Sequence, residues 1–393
     1  MKSNKDFATI AVRAAIESDQ QHGAVVPPLY LSSNFAFAGY GEKRQYDYTR
    51  SGNPTRDALA DALAELEGGA GAVVTSSGMA ALTLLCQLLE PGDLLIAPHD
   101  CYGGTYRLLD TLSTKGHFKV RFVDQTDAVA IARACARGPA LILVETPSNP
   151  LLRIVDIQRI KTVADACGAL LAVDNTFLSP ALQNPIALGA DIVIHSTTKY
   201  INGHSDVVGG AVVAATEPLA ERLTWWANCL GITGAPFDSF LALRGLRTLQ
   251  ARVRQHEENA HAIATFLQDH AAVKRVYYPG LTDHPGHQIA ARQQRGYGGM
   301  LSFELQGGET AVRAFLENLQ LFSLAESLGG VESLVCHPAS MTHAPVAAAA
   351  LQKAGIGRNL IRLSIGIEAT DDLVADLGYA LSLAAPARAV RTA

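Results

Sequence analysis

The chain has 393 residues, 48% of them hydrophobic and 18% charged, enough for two or more domains with a sizeable core and too apolar for a disordered protein. Its formal net charge of −5 offers no electrostatic attraction to nucleic acid or to an anionic membrane. The first residues alternate in charge, and the longest apolar run, Val207 to Ala215, is glycine-interrupted and shorter than the ~20 residues of a membrane helix, so a cytoplasmic protein with no signal peptide is expected. The six cysteines, Cys86, Cys101, Cys135, Cys167, Cys229 and Cys336, include no C-x-x-C pair. Most suggest buried small side chains rather than a zinc ribbon or a disulfide framework, with Cys101, beside Tyr102, the possible exception.

In chain order, residues 1 to about 52 are irregular and rich in Gly, Ser, Pro and Tyr. Asn53-Pro54 then starts a helix, with Asn as the cap and Pro in the first turn, ending near Gly68-Gly69. From Gly71 to Ala214 apolar runs alternate with helical patterns: Ala72 to Val74, Leu94 to Ile96, Val120 to Val123, Leu141 to Val144, Leu170 to Val173, Ile192 to Ile194 and Val207 to Val213. Near-continuous apolar strands separated by helices predict an α/β fold, a mostly parallel seven-stranded sheet covered by helices. Such a sheet holds its ligand beyond the carboxyl ends of its strands, where Ser76-Ser77, His99-Asp100, Glu145, Asp174-Asn175 and His195-Ser196 fall. A long helix is expected from about Leu241 through Leu267. Short strands at Val276 to Tyr278, Leu301 to Leu305 and Ile361 to Ser364, mixed with helices, then predict a smaller C-terminal α/β domain, locally alanine-rich at Ala347 to Ala350. The implied division is an arm (1–60), a large domain (61–250) and a C-terminal domain (251–393).

Lys199 lies in Asp191-Ile-Val-Ile-His-Ser-Thr-Thr-Lys-Tyr-Ile-Asn-Gly-His204, close behind an apolar strand, with Ser196 and Thr198 beside it and Asp174 upstream at the end of another. A lysine so placed suits a Schiff base to pyridoxal 5'-phosphate (PLP), with the hydroxyls on the phosphate and the aspartate keeping the pyridine nitrogen protonated. Ser-Thr-Thr-Lys alone better describes a surface lysine, so the reading depends on companions. Ser76-Ser77-Gly78-Met79 follows a strand and opens a helix, where backbone N–H groups bind phosphate and glycine permits close approach. Tyr102 could lie on the cofactor ring. Asn149, and Arg362 with its planar fork, suit an amino-acid carboxylate, although an arginine in an apolar strand is equally a buried ion-pair partner.

Several alternatives lose on spacing. Ser196 to Lys199 matches S-x-x-K, but neither S-D-N nor K-T-G occurs. His256 and His261 are five apart rather than four and would face apart on a helix, so no metal is expected. His284-Pro-Gly-His287 reads as a solvated turn, and no G-x-G-x-x-G follows a strand, against a nicotinamide enzyme.

With these residues assembled, the chain resembles the PLP-dependent enzymes of cysteine and methionine metabolism over essentially its whole length. The resemblance rests on Tyr48-Thr-Arg-Ser-Gly-Asn-Pro-Thr55, Glu145-Thr-Pro-Ser-Asn-Pro150, Val173-Asp-Asn-Thr-Phe177, Thr198-Lys-Tyr-Ile-Asn-Gly-His-Ser205 and Ala325-Glu-Ser-Leu-Gly-Gly-Val-Glu-Ser333. It implies a fold-type-I transferase and a homotetramer built from two catalytic dimers, in which Tyr48 and Arg50 of the arm reach the cofactor phosphate of the neighbouring subunit. The cofactor would be held by Lys199, Ser77, Gly78, Met79, Tyr102, Asp174, Ser196 and Thr198. Lys199, Tyr102 and Asp174 would be catalytic, with Tyr102 also a proton acceptor. Substrate would meet Asn149, Arg362, Ser327, Glu326 and Arg107. Within the family, Pro98 to Arg107, Trp225 to Asn228 and Leu230 to Gly234 resemble the members that replace a γ-substituent of an acylated homoserine by cysteine. Gly104 stands where methionine γ-lyases carry a cysteine. Ser51 stands where some of the replacing enzymes carry a second arginine, which favours cleavage of a thioether and leaves Arg107 as the candidate for the distal carboxylate.

Overall fold

In the computed structural model, residues 5–342 and 355–384 are described; Ala347 to Ala350 and the end of the C-terminal domain lie outside them. Two units form. The first holds the residues through Pro98, Gly104–Thr146 and Val155–Ala251; the second holds His99–Gly103, Pro147–Ile154 and the chain from Arg252 onward.

The seven apolar runs of the first unit become β1 (Gly71–Thr75), β2 (Leu94–Pro98), β3 (Lys119–Val123), β4 (Leu141–Glu145), β5 (Leu170–Asp174), β6 (Ile192–His195) and β7 (Gly210–Ala214). They form one sheet in the order β1-β7-β6-β5-β4-β2-β3. Side chains alternate across a strand, so a sheet buried on both faces needs apolar residues at every position. Leu141 and Leu143 accordingly join Leu95, Ala172 and Ile194 in one core. Ile142 and Val144, between them in sequence, join Ile96, Leu171 and Val173 in the other.

All pairings are parallel except those of β7, which runs antiparallel to both β1 and β6. The expected strand from Val207 begins only at Gly210, because the preceding Gly209 exchanges hydrogen bonds with the Thr198 hydroxyl, at 3.0 Å and 3.2 Å, instead of a strand partner. The reversal sets Gly210 opposite Thr75 and Ala211 opposite His195, so the start of β7 shares an edge with the ends of β1 and β6.

The helix Pro54–Glu67 has the expected cap: Asn53 Oδ1 accepts from the N–H of Thr55 and of Arg56, and Gly68 closes it at φ 75. Such a cap contributes about 1 kcal/mol. Three expectations are corrected. The irregular arm contains a short helix, Phe7–Arg13, capped by Asp6. The single helix expected through 241–267 is two, Pro236–Leu246 and Leu249–Gln268. Thr248 Oγ1 donates to Gly245 O at the break, and Arg247 Nε donates to Val12 O; the apolar periodicity runs through it unchanged. His284 is buried rather than solvated, its Nδ1 accepting from Gly286 N at 3.0 Å.

In the second unit, β8 (Val273–Tyr277), β9 (Met300–Leu305), β10 (Ser323–Leu324), β11 (Leu334–Cys336) and β12 (Leu360–Ser364) form a sheet in the order β10-β11-β12-β9-β8. Its core joins Phe303, Phe315, Ile361, Leu363, Leu373 and Leu377 among others. β10 and β11 are too short to leave a periodic signal and were not expected.

Candidate functional site

The carboxyl edge of the first unit's sheet gathers one group of the expected polar residues. Asp174 ends β5, and Ser196 to Lys199 follow β6 in a turn in which Lys199 N donates to Ser196 O and Gly203 N to Lys199 O. Thr198 fixes this turn to Gly209. After β1, Ser77 caps the helix Gly78–Cys86, its Oγ accepting from Ala80 N at 3.0 Å. Gly78 abuts the turn after β6: a Cβ built on it would lie 2.8 Å from Ser196 Cβ and 3.1 Å from Ser196 Oγ. A helix start and two hydroxyl-bearing segments therefore meet at one point, a donor set suited to a phosphate.

Thr176 joins the acid to this turn. Its hydroxyl accepts from Ser196 N at 2.9 Å, and its N–H donates to Asp174 Oδ1 at 3.0 Å. Burial pushes the Asp174 carboxyl above its usual range, while the Thr176 hydrogen bonds and the charge of His195 pull it back. A carboxylate so desolvated gains from a cationic partner, and a protonated pyridine nitrogen is one. The residues at this edge thus fit PLP: Ser77, Gly78, Met79 and Ser196 for the phosphate, Asp174 for the ring nitrogen, Lys199 for the aldehyde carbon; the Thr198 hydroxyl, expected on the phosphate, instead gives its proton to Gly209 O. Thr176 went unassigned in the sequence, since its role lies in the register between strand ends.

The second unit builds the other expected group. Arg362, in the middle of β12 and 3% exposed, donates from Nη1 to Asn149 Oδ1 at 3.0 Å and from Nη2 to Ser327 O at 2.8 Å. Ser327 holds φ at 83, a left-handed conformation that costs a non-glycine residue energy and turns up at ligand-binding positions. Arg362, Asn149 and Ser327 are thus brought together, the guanidinium fork held by a side-chain amide oxygen and a backbone carbonyl. The loops bearing Tyr102 and Asn149 are tied by Asp100, whose Oδ2 accepts from Ser148 Oγ at 2.8 Å and from Arg153 Nη1 at 2.9 Å. Tyr102 is 41% exposed, and Cys101 beside it is buried.

The remaining expected residues have other surroundings. Tyr48 and Arg50 lie on the exposed arm, and Arg50 Nη1 donates to Asn228 O and Oδ1 at 2.7 Å and 2.8 Å. Ser51 Oγ donates to Tyr48 O and Asp47 Oδ1 within its own turn. Arg107 and Glu326 are exposed. Cys167 Sγ donates within its own helix, to Val163 O and Ala164 O at 3.3 Å.

A family model described as Cys/Met metabolism PLP-dependent enzyme matches residues 8–382. The cystathionine γ-synthase of Escherichia coli (strain K12) is 58% identical over 371 residues, 94% of this chain and 96% of that protein. The cystathionine β-lyase of Lactococcus lactis subsp. cremoris (strain MG1363) is 47% identical over 373 residues, 95% of this chain and 98% of that protein. Among solved structures, cystathionine γ-synthase from Xanthomonas oryzae pv. oryzae, in complex with aminoacrylate and cysteine, superposes with a TM-score of 0.96 at 62% identity, covering 97% of this chain and 99% of that one.

Proposed function

Given that the chain belongs to the Cys/Met metabolism PLP-dependent enzymes, we propose that it is a cystathionine γ-synthase, converting O-succinyl-L-homoserine and L-cysteine to L-cystathionine and succinate. The observation that carries this reading is the higher identity, along almost the full length, to the γ-synthases of E. coli and X. oryzae than to the lactococcal lyase.

PLP, when bound, supplies an electron sink for the negative charge that develops on the substrate carbons. Asp174 keeps the proton on the ring nitrogen, and Thr176 holds Asp174 in place. Ser77, Ser196 and the N–H groups of Gly78 and Met79 would hold the phosphate, and Thr198 fastens the turn that carries Ser196 to Gly209. Lys199 Nζ anchors the cofactor and then moves the proton at the substrate's Cα. Tyr102 would lie against the cofactor and take a proton from the incoming amine or thiol. Arg362 and Asn149 hold the α-carboxylate, with the Ser327 carbonyl orienting the guanidinium. Arg107 and Glu326 face the distal part of the substrate.

The working assembly in this reading is a cytoplasmic homotetramer of two catalytic dimers, with Tyr48 and Arg50 completing the phosphate site of the neighbouring subunit. Apolar side chains exposed along the arm, among them Val25, Leu31 and Phe37, support such a contact. No helix among the described residues is long and apolar enough to cross a membrane.

Cleavage of cystathionine is the second reading: Ser51 favours the γ-lyase form of it, and the similarity to a cystathionine β-lyase favours cleavage without saying which carbon–sulfur bond is cut. Incubation with O-succinyl-L-homoserine, with and without cysteine, and separately with L-cystathionine, separates the two. Cystathionine exceeding 2-oxobutyrate when cysteine is present, with slow loss of added cystathionine, is expected. Rapid release of 2-oxobutyrate or pyruvate from cystathionine, with little replacement, would overturn the synthase.

A further inference from the structure

Behind the cofactor edge of the first unit lies a buried polar cluster that none of the roles above uses. Glu67, the last residue of the helix Pro54–Glu67, is fully buried, as are His195, Asn175 and Gln183. Glu67 Oε1 accepts from His195 Nε2 at 2.7 Å and from Asn175 Nδ2 at 2.8 Å. Gln183 Nε2 donates to Asn175 Oδ1 at 3.0 Å and to Thr146 O at 3.1 Å, while Asn175 Nδ2 also reaches Gln183 O. One carboxylate and two amides thereby tie together the residues that follow β4 and β5 and the last residue of β6.

Two features set this cluster apart from ordinary core. It is incompletely satisfied: Glu67 Oε2 and His195 Nδ1 are buried without a hydrogen-bond partner. A buried carboxylate is expensive, and apolar residues of similar volume would usually give equal or greater stability. Its position is also specific. Asn175 follows Asp174, and His195 precedes Ser196, so the acid for the ring nitrogen and a hydroxyl for the phosphate each lie one residue from the clamp. Asn175 N donates to Ile194 O at 2.9 Å, and Ser196 N donates to Thr176 Oγ1 at 2.9 Å, which carries the strand register past the clamp into the site.

We propose that Glu67, with His195, Asn175 and Gln183, is a positioning network that sets the spacing between Asp174 and the Ser196–Lys199 turn and so fixes the orientation of the bound PLP. Glu67 touches neither cofactor nor substrate; it acts through the two residues it holds. The proposal rests on the cofactor site and not on the reaction, so its failure would leave the synthase reading standing.

The test uses Glu67→Gln in the full-length protein, which keeps the acceptor for Asn175 but removes the charge facing His195. Three quantities are compared with the parent: thermal stability of the apoprotein, the PLP dissociation constant by equilibrium dialysis, and visible circular dichroism of the bound cofactor, which reports the orientation of the chromophore. The expected result is a folded apoprotein with PLP binding weakened roughly tenfold, the usual size of effect for partners that orient a site's ligands, and an altered dichroism spectrum. His195→Gln, whose amide N–H reaches toward the place of the Nε2–H, should reproduce the change and carries the test if Glu67→Gln does not fold. Dissociation constants within twofold of the parent and an unchanged spectrum, with or without a loss of stability, would overturn the proposal and leave the network a structural one.

Discussion

Gly78→Ala probes the phosphate cradle at its tightest contact. The added Cβ would sit 2.8 Å from Ser196 Cβ and 3.1 Å from both Ser196 Cα and Oγ. One of these atoms belongs to the backbone, so rotation of the serine cannot relieve the crowding, and the helix start and the turn after β6 must move apart. Overpacking of this kind costs about 1–3 kcal/mol, against which alanine recovers up to about 1 kcal/mol as a better helix former than glycine. The apoprotein should therefore lose at most about 3 kcal/mol and remain folded. The cofactor feels more, because Ser196 Oγ and the first helical N–H groups can no longer converge. Losing one charge-assisted hydrogen bond to a phosphate is worth about 1.5–3 kcal/mol, or roughly 10- to 150-fold in affinity. Equilibrium dialysis of the apoprotein against PLP measures the loss, with Ser196→Ala as a comparison that removes the hydroxyl without crowding. A Gly78→Ala variant that binds PLP within twofold of the parent would show that the phosphate does not sit between Gly78 and Ser196.

Arg362→Lys keeps the charge but cannot hold Asn149 Oδ1 and Ser327 O together; KM for the amino-acid substrate should rise about 10- to 100-fold with PLP affinity unchanged, and an unaltered KM in steady-state kinetics would remove Arg362 from carboxylate binding. Asp376→Ala should lower the unfolding free energy by about 1–3 kcal/mol in denaturant titration while leaving kcat unchanged, because its carboxylate accepts from the N–H groups of Gln320, Leu321 and Phe322. Burial pushes both His256 and His284 down to about 4 from 6.5. Above pH 6.5 neither state of the protein protonates them and their contribution to stability is fully present. As pH falls from 6.5 toward 4 the unfolded chain binds protons that the folded one refuses, and up to about 3 kcal/mol per histidine is lost. Thermal melts between pH 7 and pH 4.5 should show this decline, flattened in His256→Asn, and a pH-independent Tm across that window would refute it.

The strands of the first unit were legible because burial on both faces writes itself as an unbroken apolar run, as in Leu141 to Val144. The direction of β7 was not, since an antiparallel strand buried on both faces has the same composition as a parallel one. The break after Leu246 was hidden for a related reason: turn chemistry at Thr248 interrupts the backbone while the apolar face continues. Among site residues, Lys199, Asp174 and Ser77 stood out because their side chains follow apolar runs directly. Thr176 and Glu67 did not, because what they do depends on register across strand ends and on a helix terminus distant in sequence. Arg362 was ambiguous in the sequence between an ion-pair partner and a carboxylate fork, and nothing in the sequence pointed to its hydrogen bonds with Asn149 Oδ1 and Ser327 O, which join segments distant along the chain.

The second unit borrows two short stretches, His99–Gly103 and Pro147–Ile154, from the middle of the first unit's sequence. A segment starting at Arg252 would therefore be an incomplete object. Ser302 Oγ would lose Pro150 O, to which it donates at 2.7 Å, and Arg362 would lose Asn149. During synthesis these loops leave the ribosome long before the sheet that receives them, tethered to strands of the first unit. A cut at residue 251 would therefore leave both loops on one fragment and their partners Ser302 and Arg362 on the other, whereas a cut before His99 keeps loops and partners on the same piece.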